Sequence, residues 1–355
     1  YTLSLEVCSS DPRFAAYIKP YWWVMLIVLA LMLLSTWANV ASPDLTGQIV
    51  DCYLSPAVSG ATGGVFPGMP AQENAQSGCW LASGPETLTQ GVVYRLFTLG
   101  GFEPPAAGAA LSADQRTAGL ARAVGVLIFL FVLGAFGTGL SIFFMNWAGQ
   151  HVLRNLRVEI FKHLHRLHLG YYSKHTAGDL MSRITNDTEA IGQAINFALV
   201  NVVSGIILLV WIAYTMLTRS LPFALLSMSV MPLMIAATLW FSGQARKAFR
   251  KSRKELGNVN AELQEGISAV REAQAFNRAD ENIEEFRKVN AANRDANIRA
   301  VTFTSALSPA LEALGYLALA IVTVTGGLAL LGGGQLFGTA VSFGLVVAFL
   351  GYVQR

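Results

Sequence analysis

Eighteen of the chain's 25 Lys and Arg residues fall in two segments, six in residues 146–192 and twelve in 243–302. Each segment runs without a clear break into uncharged sequence on both sides. Charge confined in this way describes helices that cross a membrane and then continue into water on one side. A chain that only sat in the bilayer has no physical need of such extensions.

Residues 21–42, 123–150, 190–218 and 220–245 contain no Asp, Glu, Lys or Arg; 300–331 contains only Glu312, and 336–354 contains none. A membrane helix needs roughly 20 apolar residues, so six spans are expected, the sixth barely complete at Arg355. Charged residues make up 13% of the chain, against about 25% in a soluble domain. Six such runs argue against one large soluble core. The run at 21–42 lacks a small-residue cleavage pattern and reads as a span rather than a signal peptide. The expected fold is an all-α polytopic membrane protein. Its parts are an interfacial helix region (1–19, with alternating positions over Asp11–Lys19), span one (20–42), an extracytoplasmic insertion (43–115), and spans two to six with their extensions (116–355).

Lys and Arg also set orientation. The charged blocks after spans two and four face the cytoplasm. Segment 43–115 holds Arg95 alone against six acidic residues and faces outward, as do the links Thr218–Leu221 and Gly326–Gln335. The net charge of +3 thus reflects topology, and nothing points to nucleic acid.

Cys52 and Cys79 both lie in the outward insertion. An oxidising compartment permits a disulfide between them, stabilising by roughly 3–4 kcal/mol; the alternative is two unpaired thiols. Trp80, Tyr94, Phe97 and Phe102 are material for a small core or for a partner surface, and composition does not choose.

Within the first block, residues 152–161 repeat apolar positions at helical spacing. The helix is expected to continue to Leu169, break at Gly170-Tyr171-Tyr172, and restart near Gly178-Asp179, with the acid at the positive end. Arms of 15–20 residues reach roughly 25–30 Å. The second block repeats the plan, with a turn around Phe276–Glu281. Both read as helical hairpins with short polar tips.

The first tip, Tyr171-Tyr172-Ser173-Lys174-His175-Thr176-Ala177-Gly178-Asp179-Leu180-Met181-Ser182-Arg183, followed by Asn186 and Asp187, resembles the first coupling region of ATP-binding cassette exporters. Tyr171 and Tyr172 stand where Phe is commoner. Residues 260–278, Asn260 to Arg278, are similar to that family's segment before its second coupling helix. The resemblance covers residues 11–42 and 116–355. It implies two sets of six long helices, each with two coupling helices docked on nucleotide-binding domains. The implied contacts are residues 171–178 and 276–282, among them Tyr171, Tyr172, His175, Gly178, Asp179, Arg183, Phe276, Asn277, Arg278 and Asp280. The implied partners are membrane lipid, a second transmembrane domain (identical or not) and the nucleotide-binding domains.

Two departures stand out. No G-x-x-x-x-G-K-[ST] loop is present, so these residues contain no ATPase site and bind no cofactor; ATP and magnesium are expected in the absent nucleotide-binding domain. Leu331-Gly332-Gly333-Gly334-Gln335 resembles the family's signature sequence but falls in an outward link, where it reads as a flexible turn. With the chain ending inside span six, a fragment of a longer protein is expected. The insertion of about 73 residues replaces a short loop and puts a typical drug or lipid substrate in doubt.

His163, His165, His168 and His175 cluster in the first block; His165 and His168 are expected on one helix face, as solvated surface rather than a metal site. The sequon at Asn186 faces the cytoplasm. Glu312 is the sole carboxylate inside a span and is a candidate for the substrate pathway, or for a structural bond to a neighbouring helix. Asn196, Asn201, Trp211 and Asn146 are weaker candidates, since Asn also joins helices. The expected function is the transmembrane domain of an ATP-driven exporter working by alternating access in a bacterial plasma membrane. The alternatives are a motor-less scaffold or accessory subunit binding an extracytoplasmic partner, and a secondary transporter, which needs no long cytoplasmic rods.

Overall fold

The computed structural model describes residues 17, 19–54, 79–85, 87–99, 102, 112–332 and 334–355, with backbone alone at 88, 195, 196, 198 and 199. It divides into two compact units, residues 1–221 with 328–352, and 222–327 with 353–355. Among the described residues, five helical segments are long and apolar enough to cross a membrane: Lys19–Leu54, Ala113–Leu164, Val200–Arg219, Leu221–Ser268 and Ala279–Leu331. The sixth apolar helix, Phe343–Val353, has 11 residues.

In the first unit, helix α1 (Trp22–Ile49) packs along α4 (Ala113–Leu164). Small residues let the two backbones approach: Gly134 and Gly137 of α4 face Ala38 and Ser35 of α1, the packing expected where lipid supplies no hydrophobic drive. At the end of the pair where α1 begins, Tyr21, Trp23, Trp147 and His151 form one aromatic cluster, the kind that marks a membrane–water boundary. Helix α1 runs past residue 42, where span one was expected to end, and closes in a π-helical turn, Val50–Leu54. Pro43 lies inside α1: the Ser42 hydroxyl donates to the Asn39 carbonyl that the proline cannot serve, and the ring faces Gly351, where even one methyl group would sit 2.9 Å from Pro43 Cβ. The surface helix expected over Asp11–Lys19 falls outside the described residues except Tyr17 and Lys19.

The described part of the insertion forms α2 (Trp80–Ser83) and α3 (Leu88–Thr98). Thr87 and Gln90 make a reciprocal capping box that starts α3. Trp80, Leu81, Val93 and Phe97 are buried against Leu45, Ile49, Ala123 and Leu130, so the aromatics serve as a core. Arg122 fastens the lid: its Nε donates to the Phe97 carbonyl and its guanidinium lies over the Phe102 ring. A disulfide joins Cys52 to Cys79. Cys52→Ser is expected to destabilise the complete protein by roughly 3 kcal/mol through the freed loop, measured as a thermal midpoint in detergent. An unchanged midpoint rules out a stabilising bridge.

The first charged block differs from expectation. Helix α4 ends at Leu164, not Leu169. The chain then forms α5 (Leu169–Tyr172) and α6 (Ala177–Ser182), a π-helical turn (Arg183–Asp187) and α7 (Thr188–Asn196). A further π-helical turn (Phe197–Val202) leads into α8 (Val203–Arg219).

In the second unit, α9 (Leu221–Met228) and α10 (Met231–Ser268) are separated at Ser229–Val230, just before Pro232 at the start of α10, which suits its missing N–H. After α11 (Val270–Ala275) the chain enters α12 (Ala279–Leu331), with Pro309 inside it. The glycine-rich link is an ordered hairpin, not a loose turn: β1 (Gln335–Leu336) pairs antiparallel with β2 (Thr339–Ala340) around Phe337 and Gly338 at positive φ. The last helix, α13 (Phe343–Val353), therefore starts seven residues later than the uncharged run.

Candidate functional site

The first hairpin tip is shaped by caps. His168 Nδ1 accepts from the Tyr171 N–H at 3.1 Å and starts α5. The Tyr172 hydroxyl donates to the Leu164 carbonyl at 2.6 Å, closing the end of α4. The Thr176 hydroxyl accepts from the Asp179 N–H and starts α6. Tyr171 packs on His175 with ring centroids 4.4 Å apart. Asp179 pairs with Arg183 at 3.3 Å, and His175 lies 4.0 Å from the same carboxylate. Gly178 lies in α6 with open space where a side chain would sit. The tip thus gathers Tyr171, Tyr172, His175, Asp179 and Arg183 on two short helices and the residues that flank them.

Above the tip, Arg157 of α4 ties the returning arm, donating to the Thr188 hydroxyl and pairing with Glu189, each at 3.0 Å. His165 and His168 do not share a helix: α4 has already ended, and His168 is spent as a cap. No group of three or more His, Cys, Asp or Glu suited to a metal occurs among the described residues. Leu169 was not singled out from sequence, yet it stands 88% exposed at the extremity. Its signal was the position directly after a capping residue.

The second tip is tighter. The Phe276 N–H closes on the Glu272 carbonyl, and the Arg278 N–H reaches back to Ala273 at 2.8 Å. Asn277 takes φ 56°, a conformation Asn tolerates well. Arg278 pairs with Glu281 at 2.5 Å, and Asp280 sits in the first turn of α12 with Glu281, where acids favour the helix dipole. Phe276 is 77% exposed. Bare apolar side chains therefore stand at both tips, Leu169 and Met181 at the first and Phe276 at the second, beside charged groups.

Within the spans, Glu312 of α12 accepts a hydrogen bond from Tyr316 at 3.0 Å, one turn on, and both are exposed. The partner is thus on the same helix, not a neighbouring one. Asn201 is exposed in the π-helical turn and Trp211 is half-buried in α8; the Asn196 side chain lies outside the described set. These residues are not gathered into one site within either unit.

At the opposite end of α1 from the aromatic cluster, sequence reasoning missed a set of buried polar ties. Asp44 of α1 holds Arg219 of α8, both carboxylate oxygens at 2.6 Å. Asp51 accepts from the Ser342 hydroxyl at 2.6 Å and the Gly344 N–H at 2.7 Å. Ser342 in turn caps α13 by accepting from the Leu345 N–H. Ser220 and Thr339 share a hydroxyl–hydroxyl bond. The only available signal was two acids just beyond an apolar run and one lone cation in an outward link.

Comparison with known proteins gives a consistent result. The model of the "ABC transporter transmembrane region" matches residues 25–354. An "Uncharacterized ABC transporter ATP-binding protein YfiC" of Bacillus subtilis is 26% identical over 241 residues, 68% of this chain and 39% of that protein. The "Uncharacterized ABC transporter ATP-binding protein YknU" of the same organism is 29% identical over 50% of this chain and 31% of its own length. An "ATP-dependent lipid A-core flippase" of Syntrophus aciditrophicus is 27% identical over 56% of this chain and 33% of its own length. The chain spans well under half the length of these relatives.

Proposed function

Because this chain belongs to the ABC transporter transmembrane family, we propose that it is the transmembrane domain of an ATP-driven exporter, moving its substrate outward by alternating access. Its two cytoplasmic tips are the coupling elements on which nucleotide-binding domains dock. The observation that carries this reading is the pair of hydrogen-bonded tips presenting bare apolar residues, foremost Leu169 and Phe276, beside charged groups. An exposed Leu or Phe on a polar rod gains by entering a pocket, and a rod held by caps and the Arg157 tie transmits displacement instead of absorbing it. ATP and magnesium belong to the docked domains. The matched relatives are bacterial and carry ATP-binding names, which supports a bacterial cell membrane as the location and a second transmembrane domain as partner.

The scaffold alternative, working through the insertion, is weakened by Trp80 and Phe97, which are buried in the chain's own core.

The test is Leu169→Asp and Phe276→Asp in the complete protein. Each is expected to lower transport at least tenfold, since burying an unpaired charge at a docking anchor costs more than about 2 kcal/mol, while the protein still reaches the membrane. Unchanged transport in both variants overturns the coupling assignment.

A further inference from the structure

Helix α12 carries an exposed polar stripe through otherwise apolar sequence. At 100° per residue, Ser305, Ser308, Glu312, Tyr316 and Thr323 fall within an arc of about 80°, and all five are exposed. Pro309, at the edge of the arc, has no N–H to give the Ser305 carbonyl, which leaves one further acceptor on the same face. Glu312 lies about 20 Å along the helix from Arg299 and about 28 Å from Leu331, at mid-membrane depth. No Lys, Arg or His occurs between residues 300 and 354, so nothing on this part of the chain neutralises it. A polar face holding a carboxylate does not lie against lipid. It faces a cavity or a partner. What it offers there is negative charge, acceptor oxygens and the open ring of Tyr316, which is 62% exposed.

Those features select one ligand chemistry. We infer that the stripe is a recognition site for an amphiphilic organic cation, with Glu312 as the counter-charge and the Tyr316 ring as a cation–π surface. The Tyr316 hydroxyl, bonded to Glu312 at 3.0 Å, also positions the carboxylate. Apolar flanks on the neighbouring turns suit the hydrocarbon body of such a ligand, and an anion of equal size is repelled. This inference rests on the exporter reading, whose substrate class it narrows.

The test uses the complete protein in nanodiscs without nucleotide. The probes are tetraphenylphosphonium and tetraphenylborate, of like shape and opposite charge. The unaltered protein is expected to bind the cation saturably and at least tenfold more tightly than the anion. Glu312→Gln is expected to lose at least tenfold in cation affinity, with anion affinity equal or higher. Glu312→Asp keeps the charge and restores most of the binding, while Tyr316→Phe, which keeps the ring, loses about threefold. Equal cation affinity in Glu312→Gln and the unaltered protein overturns the proposal. So does a Glu312→Gln variant changed only in oligomeric state, which makes the stripe a seam between copies, or only in the pH dependence of transport, which makes Glu312 a proton carrier. Glu312-dependent cation binding without ATP-driven transport instead overturns the exporter reading and leaves the site standing.

Discussion

Gly344→Val is expected to lower the thermal midpoint of the complete protein by roughly 5–10 °C, or to prevent its accumulation in the membrane. The start of α13 lies so close to α1 that a single added carbon at Gly344 would stand 2.5 Å from the Asp51 carboxylate carbon and clash with the Gly47 carbonyl. The nearest obstacle is backbone, and the Asp51 side chain beside it is held by its own hydrogen bonds. Further along the same seam, Pro43 meets Gly351 and the Tyr352 hydroxyl donates to the Val40 carbonyl at 3.2 Å. A forced separation at Gly344 therefore strains three contacts. Gly257→Ala, with nothing within 4 Å of the added carbon, is the control and is expected to be neutral or slightly stabilising. Heating followed by size-exclusion chromatography separates the two. Equal midpoints mean that α13 does not approach α1 in this way.

Asp51→Ala is expected to cost roughly 2–4 kcal/mol. Asp51 is 2% exposed, and its two oxygens take the Ser342 hydroxyl and the Gly344 N–H. Alanine strands both donors in a buried place and removes negative charge from a helix N-terminus. Asp51→Asn keeps one acceptor and is expected to fall between. Ser342→Ala removes one of the stranded donors, so the double variant should be less damaged than the sum of the singles by about 1–2 kcal/mol. Strict additivity in that cycle shows that the carboxylate and hydroxyl are not partners in the working protein.

Five long apolar helices were readable because freedom from charge is a local property, visible in any window of twenty residues. Turn chemistry was readable for the same reason. The restart near Gly178–Asp179 follows from the Thr176 cap, and the Phe276–Glu281 turn from residues that bond within five positions of one another. The early end of α4 was not read, because His168 looks like surface until its ring nitrogen is seen capping the next turn. Helix α1 outran its expected end because the span was read from a charge-free run that stops short of Asp44, whereas Asp44 is held by Arg219 far along the chain. The outer ties were invisible for the most general reason. Asp51 meets Ser342 across 291 positions and Asp44 meets Arg219 across 175, and one sequence carries no record of such distant pairs. Glu312 was found because a lone charge in an apolar run stands out, whereas its stripe needed the helix to be placed first.

The bridge between Cys52 and Cys79 also changes what the long outer link is mechanically. Covalently, residues 53–78 become a side loop, and the shortest bonded path from the first span to the second passes through two sulfur atoms. A pull that separates those spans is borne by the bridge and by the stretch from Cys79 to Ser112. The loop between the cysteines need carry none of it. Its length and composition can then vary without changing the leash between the two spans, and an insertion there leaves that leash no longer than before.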